Sequence, residues 1–408
     1  MFKYELVTYG YKFDLNTVDY PLYVYLEITD NCNFKCKFCS VGNKSHHFMK
    51  LELAKKIIDN LRNLNIYDIY YTGGEPLLHP DFDKIVKYAN SQNMRQTVLT
   101  NGFLIDKKQN ILKDCTSVCV SLHGNKEMHN KITGVNCYDK VIHNILLLKN
   151  VRISYTLTDD NLIEQDILSV CDFCKEHNLK LSFNKYNNIG DGKTNNCDVD
   201  LTKFIKVLEN LRLKKYKFSI NNCLPPCIVE VNYHHLSHGC GAGYIFASID
   251  YNGNVKICPS AIESFGNIEK ISFKKIWSCK KLKEFREFIW IPIQCRSCLD
   301  LYKCRCGCKV EAGRELLKFN DQKVITYNEY IWEFIKNKKF SVNISLIRVE
   351  GKNYINLSAP PRKFNKATYE VIKKLNDGLE PIHLEYAKDL ILSLYRDKLL
   401  LECDKNAK

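Results

Sequence analysis

Between residues 23 and 184 the chain alternates short strand-like runs with amphipathic stretches, and this alternation restricts the fold more than any other feature. YVYLEIT (23–29), DIYYT (68–72), QTVLT (96–100), SVCVSL (117–122), RISYTL (152–157) and KLSF (180–183) are rich in the β-branched and aromatic residues that suit strands. Segments 51–64, 82–92, 106–113, 138–149 and 162–177 carry apolar residues three and four apart, the period of a helix with one buried face. Repeated strand–helix–strand units give a parallel sheet with right-handed crossovers. Six such units predict an α/β fold, a partial (β/α)6 TIM-like barrel. In parallel barrels chemistry sits on the loops leaving the C-terminal ends of the strands.

The flanks read differently. Residues 1–20 form an N-terminal segment and 21–196 the barrel, closed by a polar, glycine-containing linker at 184–196. Residues 197–320 are cysteine-rich with few regular elements. Beyond them, 340–349 and 354–357 flank Gly351-Lys352-Asn353 like a hairpin, and helices are expected at 365–375 and 384–395. A hairpin with two helices predicts a small winged-helix-like module over 340–408.

Twenty cysteines in 408 residues need a reason. The N-terminus lacks the apolar core and cleavage site of a signal peptide, and no apolar run approaches eighteen residues, so the reading is a cytoplasmic protein without membrane spans. In a reducing compartment clustered cysteines bind metal or do redox chemistry. Cys115, Cys119, Cys137, Cys171, Cys174, Cys197 and Cys279 are scattered and read as small buried hydrophobes. The net charge of +14 contains no run of five like charges, and clusters ligated by four thiolates would offset part of it.

Cys32, Cys36 and Cys39 lie directly after the first strand-like run. Three thiolates in one tight loop can hold three corners of a [4Fe–4S] cluster and leave the fourth iron open. With His46 or His47, the same cysteines could instead make a tetrahedral zinc site. Each later strand also ends in a distinctive loop: Thr72-Gly73-Gly74-Glu75-Pro76, Thr100-Asn101-Gly102 and Ser121-Leu122-His123-Gly124. Any one of them alone could be a turn.

Taken together, the Cx3Cx2C spacing and these strand ends resemble the radical S-adenosylmethionine (SAM) superfamily over about residues 23–184. The resemblance implies that the amino and carboxylate groups of SAM chelate the open iron of a [4Fe–4S] cluster held by Cys32, Cys36 and Cys39. One electron then cleaves the sulfonium bond, giving methionine and a 5′-deoxyadenosyl radical. It further implies that Phe38 packs by the adenine and that Gly73 and Gly74 present backbone at close range. Glu75 would accept from the SAM ammonium, and Asn101 and Ser121 would complete the pocket. Two positions depart from the pattern: His123 stands where relatives have aspartate, and Thr133 where an arginine often holds the SAM carboxylate.

The second cysteine set begins with Cys240, twelve residues, Gly253, four residues and Cys258. It continues as Cys295-x2-Cys298-x5-Cys304-x3-Cys308. Physically, residues 249–258 read as a tight hairpin delivering one ligand, and paired zinc knuckles are the alternative. The spacing resembles the SPASM extension, which carries auxiliary clusters. By that analogy Cys240, Cys258 and Cys308 hold a first auxiliary [4Fe–4S] cluster, and Cys295, Cys298 and Cys304 a second. One or two such clusters fit. The first could be completed by Cys223 or Cys227, or keep an open iron; Cys306 and Cys403 are the choices for the second.

SPASM enzymes mostly modify ribosomally made peptides by hydrogen abstraction, giving crosslinks, epimers or cofactor precursors. Pro259 stands where sulfatase maturases of this branch carry aspartate. Residues 340–402 resemble the PqqD-like winged helix that binds leader peptides. The reading is therefore a peptide maturase whose partners are a precursor peptide, bound through its leader, and a reductant such as flavodoxin or ferredoxin, with no nucleic acid and no membrane. Two alternatives are a radical SAM enzyme acting on a small molecule such as a tetrapyrrole or cofactor precursor, and a non-catalytic metal- and DNA-binding regulator. The second suits the sequence poorly, because the C-terminal helices mix Lys with Glu and Asp instead of presenting a basic face. No residue is marked by spacing as catalytic base or radical partner.

Overall fold

The computed structural model describes residues 19–403 except 42–44, 188–194, 196, 222, 230–232, 234–235, 237–238, 287–294, 296–303, 311–331, 334, 343–346, 351–352, 357–361 and 397–399. The six expected strands form: β1 (Tyr23–Thr29), β2 (Asp68–Gly73), β3 (Arg95–Thr100), β4 (Ser117–Ser121), β5 (Val151–Leu157) and β6 (Lys180–Lys185). Each pairs with the next in parallel. The connecting helices are α1 (Leu51–Asn63), α2 (Phe82–Ser91), α3 (Ile105–Leu112), α4 (Lys126–Thr133), α5 (Tyr138–Leu146) and α6 (Glu164–Glu176), with α7 (Leu201–Leu213) following β6.

Beyond these, β7 (Ser219–Ile220) adds parallel to β6, and β8 (Phe246–Ile249) adds parallel to β1 on the opposite edge. The antiparallel strands β9 (Asn254–Lys256) and β10 (Ser264–Asn267) extend that edge. The ten-stranded sheet runs β10-β9-β8-β1-β2-β3-β4-β5-β6-β7, so the barrel stays open between β7 and β10. Short helices α8 (Phe273–Trp277) and α9 (Lys280–Arg286) follow.

β1 shows why this sheet forms. Val24, Leu26 and Ile28 alternate onto one face and are fully buried in the main core. Tyr23 and Tyr25 alternate onto the other, their rings 4.8 and 5.3 Å from that of Tyr70. With both faces covered, a strand needs apolar residues throughout, as parallel strands do. Glu27 on the second face pairs with Lys256 at 2.9 Å, tying β1 to β9 across β8.

Helix α4 was not legible as a helix, because KEMHNKIT is short and largely polar. Its ends nevertheless obey capping rules. The Asn125 side chain accepts from Met128 N, and Gly134 closes the helix in a left-handed conformation (φ 68°).

The C-terminal region has its own core, in which Trp332, Ile335, Phe340, Ile372, Leu375, Ile391, Leu392 and Leu400 are buried apart from the main cluster. The expected hairpin is present as β12 (Ile347–Glu350) and β13 (Asn353–Asn356), joined by β14 (Arg362–Phe364) in a three-stranded antiparallel sheet. The run 340–349 is not one strand: β11 (Phe340–Val342) pairs instead with β15 (Leu400–Glu402). Helices α10 (Lys366–Asn376) and α11 (Lys388–Arg396) complete the unit. No helix among the described residues is long and apolar enough to cross a membrane.

Candidate metal and cofactor site

The cysteine loop leaves β1 at Thr29 and is anchored mostly by backbone. Lys35 N donates to Thr133 O (3.1 Å) and Lys37 N to Ile132 O (3.0 Å), so the loop caps carbonyls at the C-terminal end of α4. Phe34 is the apolar anchor, buried edge-on against Phe103 at 5.9 Å. Cys32, Cys36 and Cys39 are left half-buried. Phe34 N lies 3.4 Å from Cys32 Sγ and Asn101 Nδ2 lies 3.9 Å from it, N–H donors of the kind that steady a thiolate.

The second strand end packs directly on this loop. Gly74 N donates to Thr29 O and Glu75 N to Asn31 O, both at 2.7 Å. Approach this close leaves no room for a side chain. A Cβ on Gly73 would sit 2.0 Å from Thr29 O, and one on Gly74 would sit 2.1 Å from Asn31 O. Gly73 also has φ 121°, which disfavours any other residue.

Glu75 is fully buried and gathers the third strand end. Its carboxylate accepts from Thr100 Oγ1 (2.7 Å), Asn101 N (2.7 Å) and Leu77 N (3.1 Å). Burial pushes its pKa up to about 7, against these three bonds, which favour the ionised form. Asn101 reaches back to the cysteine loop through Asn33 Oδ1 at 2.8 Å. Ser121 ends β4 in register with Ser154 of β5. Phe38 meets the His123 ring edge-on at 4.9 Å. The structure thus brings the cysteine triplet, Gly73, Gly74, Glu75 and Asn101 into one connected group, with Phe38 on the loop itself.

The two departures have physical accounts. His123 is buried; its Nδ1 accepts from Thr156 N and its own N donates to His129 Nδ1, both at 3.2 Å. Burial, then neighbouring His129, holds its pKa well down, so it is a neutral spacer where relatives carry an acid. Thr133 is buried, with its hydroxyl turned back onto His129 O at 2.8 Å, so it serves α4 and the loop.

Both histidines of the zinc alternative bond neighbouring side chains through Nδ1. His46 Nδ1 bonds Asn31 Oδ1 at 2.6 Å, while His47 bonds Asp30 and stacks on Tyr251 at 5.3 Å. Among the described residues no three His, Cys, Asp or Glu side chains converge as ligands of a single ion do. The donor set, the backbone N–H groups around it and the glycine cradle fit a cluster with a small ligand beside it.

The second set sorts into two groups. The hairpin expected at 249–258 forms, with Ile249 opposite Val255 and Gly253 at φ 82° in its turn, and it carries Cys258 on its far end. Cys240, Cys258 and Cys308 approach one another, and Cys223 bonds to both Cys240 and Cys308. Its bond to Cys223, then the Lys309 ammonium and backbone N–H groups, hold the Cys240 thiol toward its ionised form. Cys295 bonds Cys306, with Cys304 close by; Cys298 lies outside the described residues. Every described cysteine is free of disulfides.

The family model of the radical SAM superfamily matches residues 26–163, and that of the SPASM iron–sulfur cluster-binding domain matches residues 240–299. The chain carries a radical SAM domain followed by a SPASM domain. These domains imply a [4Fe–4S] cluster with SAM and auxiliary iron–sulfur clusters. Mycofactocin maturase MftC of Mycobacterium tuberculosis is 25% identical over 320 residues, covering 71% of this chain and 79% of that one. An S-adenosylmethionine-dependent nucleotide dehydratase of Selenomonas ruminantium is 43% identical over only 83 residues, 20% of this chain and 30% of its own. Among solved structures, SuiB of Streptococcus suis bound to its precursor peptide SuiA superposes with a TM-score of 0.62 at 20% identity, covering 75% of each chain. This radical SAM enzyme therefore shares its fold with SuiB over three quarters of its length.

Proposed function

We propose that this radical SAM/SPASM enzyme modifies a ribosomally synthesised precursor peptide by hydrogen abstraction, forming a crosslink, an epimer or a related product. The carrying observation is the junction at the strand ends, where the cysteine loop, the Gly73-Gly74 cradle and buried Glu75 meet through backbone bonds of 2.7 Å. Likeness to MftC along 320 residues supports the peptide class, because it runs through the barrel and the cluster domain together.

Cys32, Cys36 and Cys39 would hold the SAM cluster through three irons. When bound, the cluster and SAM supply a reductively generated carbon radical able to abstract hydrogen. The chain's own residues bind and orient. Gly73 and Gly74 keep the loop within backbone reach, and Glu75 offers a carboxylate to the SAM amino group. Asn101 fixes the loop from β3, Ser121 borders the pocket at the end of β4, and Phe38 offers a ring face to the adenine. Cys240, Cys258 and Cys308 would hold one auxiliary cluster, and Cys295, Cys298 and Cys304 would serve a second.

In this reading the barrel occupies 21–196 and the auxiliary cluster domain 197–320. The C-terminal module binds the leader of the precursor by offering a strand edge, β12 or β14, for main-chain pairing. A flavodoxin or ferredoxin supplies the electron, and a reducing cytoplasm keeps the thiols available. Likeness to a tetrapyrrole enzyme, Fe-coproporphyrin III synthase of Methanosarcina barkeri, spans 37% of this chain and 40% of that one, which favours the peptide reading over the small-molecule one.

The test is anaerobic reconstitution with iron and sulfide, comparing wild type with a Cys32/Cys36/Cys39→Ala triple variant. About twelve irons, falling to about eight with loss of 5′-deoxyadenosine, is the expected result. Zinc in place of iron and no SAM cleavage would overturn the assignment.

A further inference from the structure

A buried guanidinium lies between the two groups of cysteines beside the barrel edge. Arg305 is 7% exposed and sits in the turn from Cys304 to Cys308. Its Nη1 donates to Cys240 O at 3.2 Å, and its Nε is buried without a hydrogen-bond partner. Among the described residues no carboxylate pairs with it. The guanidinium carbon lies over the Tyr244 ring, 5.2 Å from its centre. Cys240 and Cys306 are both near enough to Tyr244 to disfavour its ionised form. Burial pulls the Arg305 pKa down, and Tyr244, Cys240 and Cys304 oppose it. One cation is therefore felt by a cysteine of each group.

The backbone holds this side chain in place under strain. Arg305 and Cys306 are both left-handed, with φ of 53° and 59°, a region that disfavours consecutive side chains. Such strain persists where the surroundings over-determine it. The turn is pressed on the 223–227 segment, since a Cβ on Gly307 would come within 2.3 Å of Pro225 Cγ. Lys309 Nζ reaches back to Arg305 O, with its ammonium 5.7 Å from the centre of the Tyr244 ring. A buried charge is costly unless an opposite charge partners it. The described side chains supply no carboxylate, so the counter-charge is what the cysteines hold. A four-iron cluster ligated by thiolates is a net anion, more so once reduced, and nearby charge sets its potential.

We propose that Arg305 is the shared counter-ion of the two auxiliary clusters, its guanidinium standing between the Cys240 and Cys304 groups and raising the reduction potential on both sides. This rests on the auxiliary-cluster reading above. Reduction adds a negative charge beside a fixed positive one in a low-dielectric interior, so the reduced form gains more than the oxidised form. Arg305 touches no substrate; it acts through the clusters, as a positioning residue.

The test uses the reconstituted full-length enzyme with Arg305→Gln and Arg305→Lys. Both replacements carry the same left-handed strain as arginine, so the pair separates charge from fold. Iron content and an EPR-monitored redox titration are the readouts. The SAM-induced change in the spectrum of the Cys32/Cys36/Cys39 cluster identifies its signal and reports that the barrel is folded. R305Q should lower the reduction constant of both auxiliary clusters about tenfold, ~59 mV for a one-electron couple, and leave the Cys32/Cys36/Cys39 cluster unchanged. R305K should stay within about threefold of wild type. Loss of auxiliary iron in R305Q with retention in R305K would support the same role, because charge is then what the clusters require. R305Q at wild-type potentials, a shift confined to one auxiliary cluster, or R305K as impaired as R305Q would overturn the assignment alone. About eight irons in the wild type would leave one auxiliary cluster and overturn the sharing, whereas about four would overturn the auxiliary-cluster reading itself.

Discussion

At the residue scale Glu75 carries the sharpest consequence, because one carboxylate must serve two states. Burial raises its pKa from 4.5 to about 7, so without SAM its ionised form is penalised. The folded chain then holds a proton that the unfolded chain has released between those values. The contribution of this group is fully present below about pH 4.5 and is lost as pH rises to about 7, an effect on the order of 3 kcal/mol. The amino group of bound SAM reverses the balance by donating its N–H groups to the ionised form. SAM affinity of the reconstituted enzyme should therefore rise roughly tenfold from pH 6 to pH 8. In Glu75→Gln the same titration, followed by calorimetry, should be shallower by about that factor and weaker throughout. A Glu75→Gln enzyme with the wild-type slope would exclude Glu75 as the SAM partner. Gly74 gives a different consequence, with no pH dependence. Gly74→Ala sets a Cβ 2.1 Å from a backbone oxygen that no side-chain rotation can relieve. It should lower stability by about 2 kcal/mol or more, and the N-terminal cluster should be lost first.

At the element scale the cysteine loop depends on α4 more than on its visible ion pair. Lys37 and Asp160 meet at 2.6 Å, but both side chains are substantially exposed, so the pair contributes about 0.2–1 kcal/mol. The Lys35 and Lys37 amides instead pair with carbonyls at the end of α4, just before Gly134 turns the chain at φ 68°. Gly134→Ala would strain that turn by about 1–2 kcal/mol and press on Lys35 O, 3.1 Å from the new Cβ. Iron release to a chelator from the N-terminal cluster should accelerate several-fold in Gly134→Ala, with auxiliary iron unaffected; Asp160→Asn should change it little. Equal rates in wild type and Gly134→Ala would show that α4 does not hold the loop. This dependence was hidden in the sequence, whereas the strands were not. YVYLEIT and RISYTL read correctly because strands buried on both faces are apolar along their length. α4 escaped because its stability comes from its Asn125 cap, its Gly134 end and the loop docked on it, none of which makes a periodic apolar stripe. β7 escaped because two residues cannot show a period, and of β8 only its hairpin end at Ile249 was legible; their partners β6 and β1 define them. At the site, spacing located Cys240, Cys258 and Cys308 and left Cys223 or Cys227 open beside them, while the packing of Gly307 on Pro225, residues 82 apart in sequence, could not be read from it.

At the scale of the whole molecule, two hydrophobic cores make the chain separable in principle. The barrel and the residues around Ile249, Val255, Phe273 and Trp277 share one core, so the cluster domain is built onto the barrel edge through β8. The C-terminal core is distinct and draws in Trp332 and Ile335 as well as the elements after Phe340. A truncation starting at residue 340 would expose both of those side chains, so the informative cut falls just before Trp332. In the three-stranded sheet β13 is central, and β12 and β14 each pair only with it among the described residues. Main-chain groups along either outer strand are the means by which an extended peptide would gain affinity. Removing the module should therefore raise the Kd for the precursor at least tenfold, a loss of about 1.4 kcal/mol or more. Iron content and peptide-independent SAM cleavage should stay at wild-type levels, since both belong to the other core. Fluorescence polarisation of a labelled leader, read beside 5′-deoxyadenosine formation, separates these effects. A truncated enzyme that still modifies full-length precursor at the wild-type rate would show that recognition resides in the barrel, and that the module has another role.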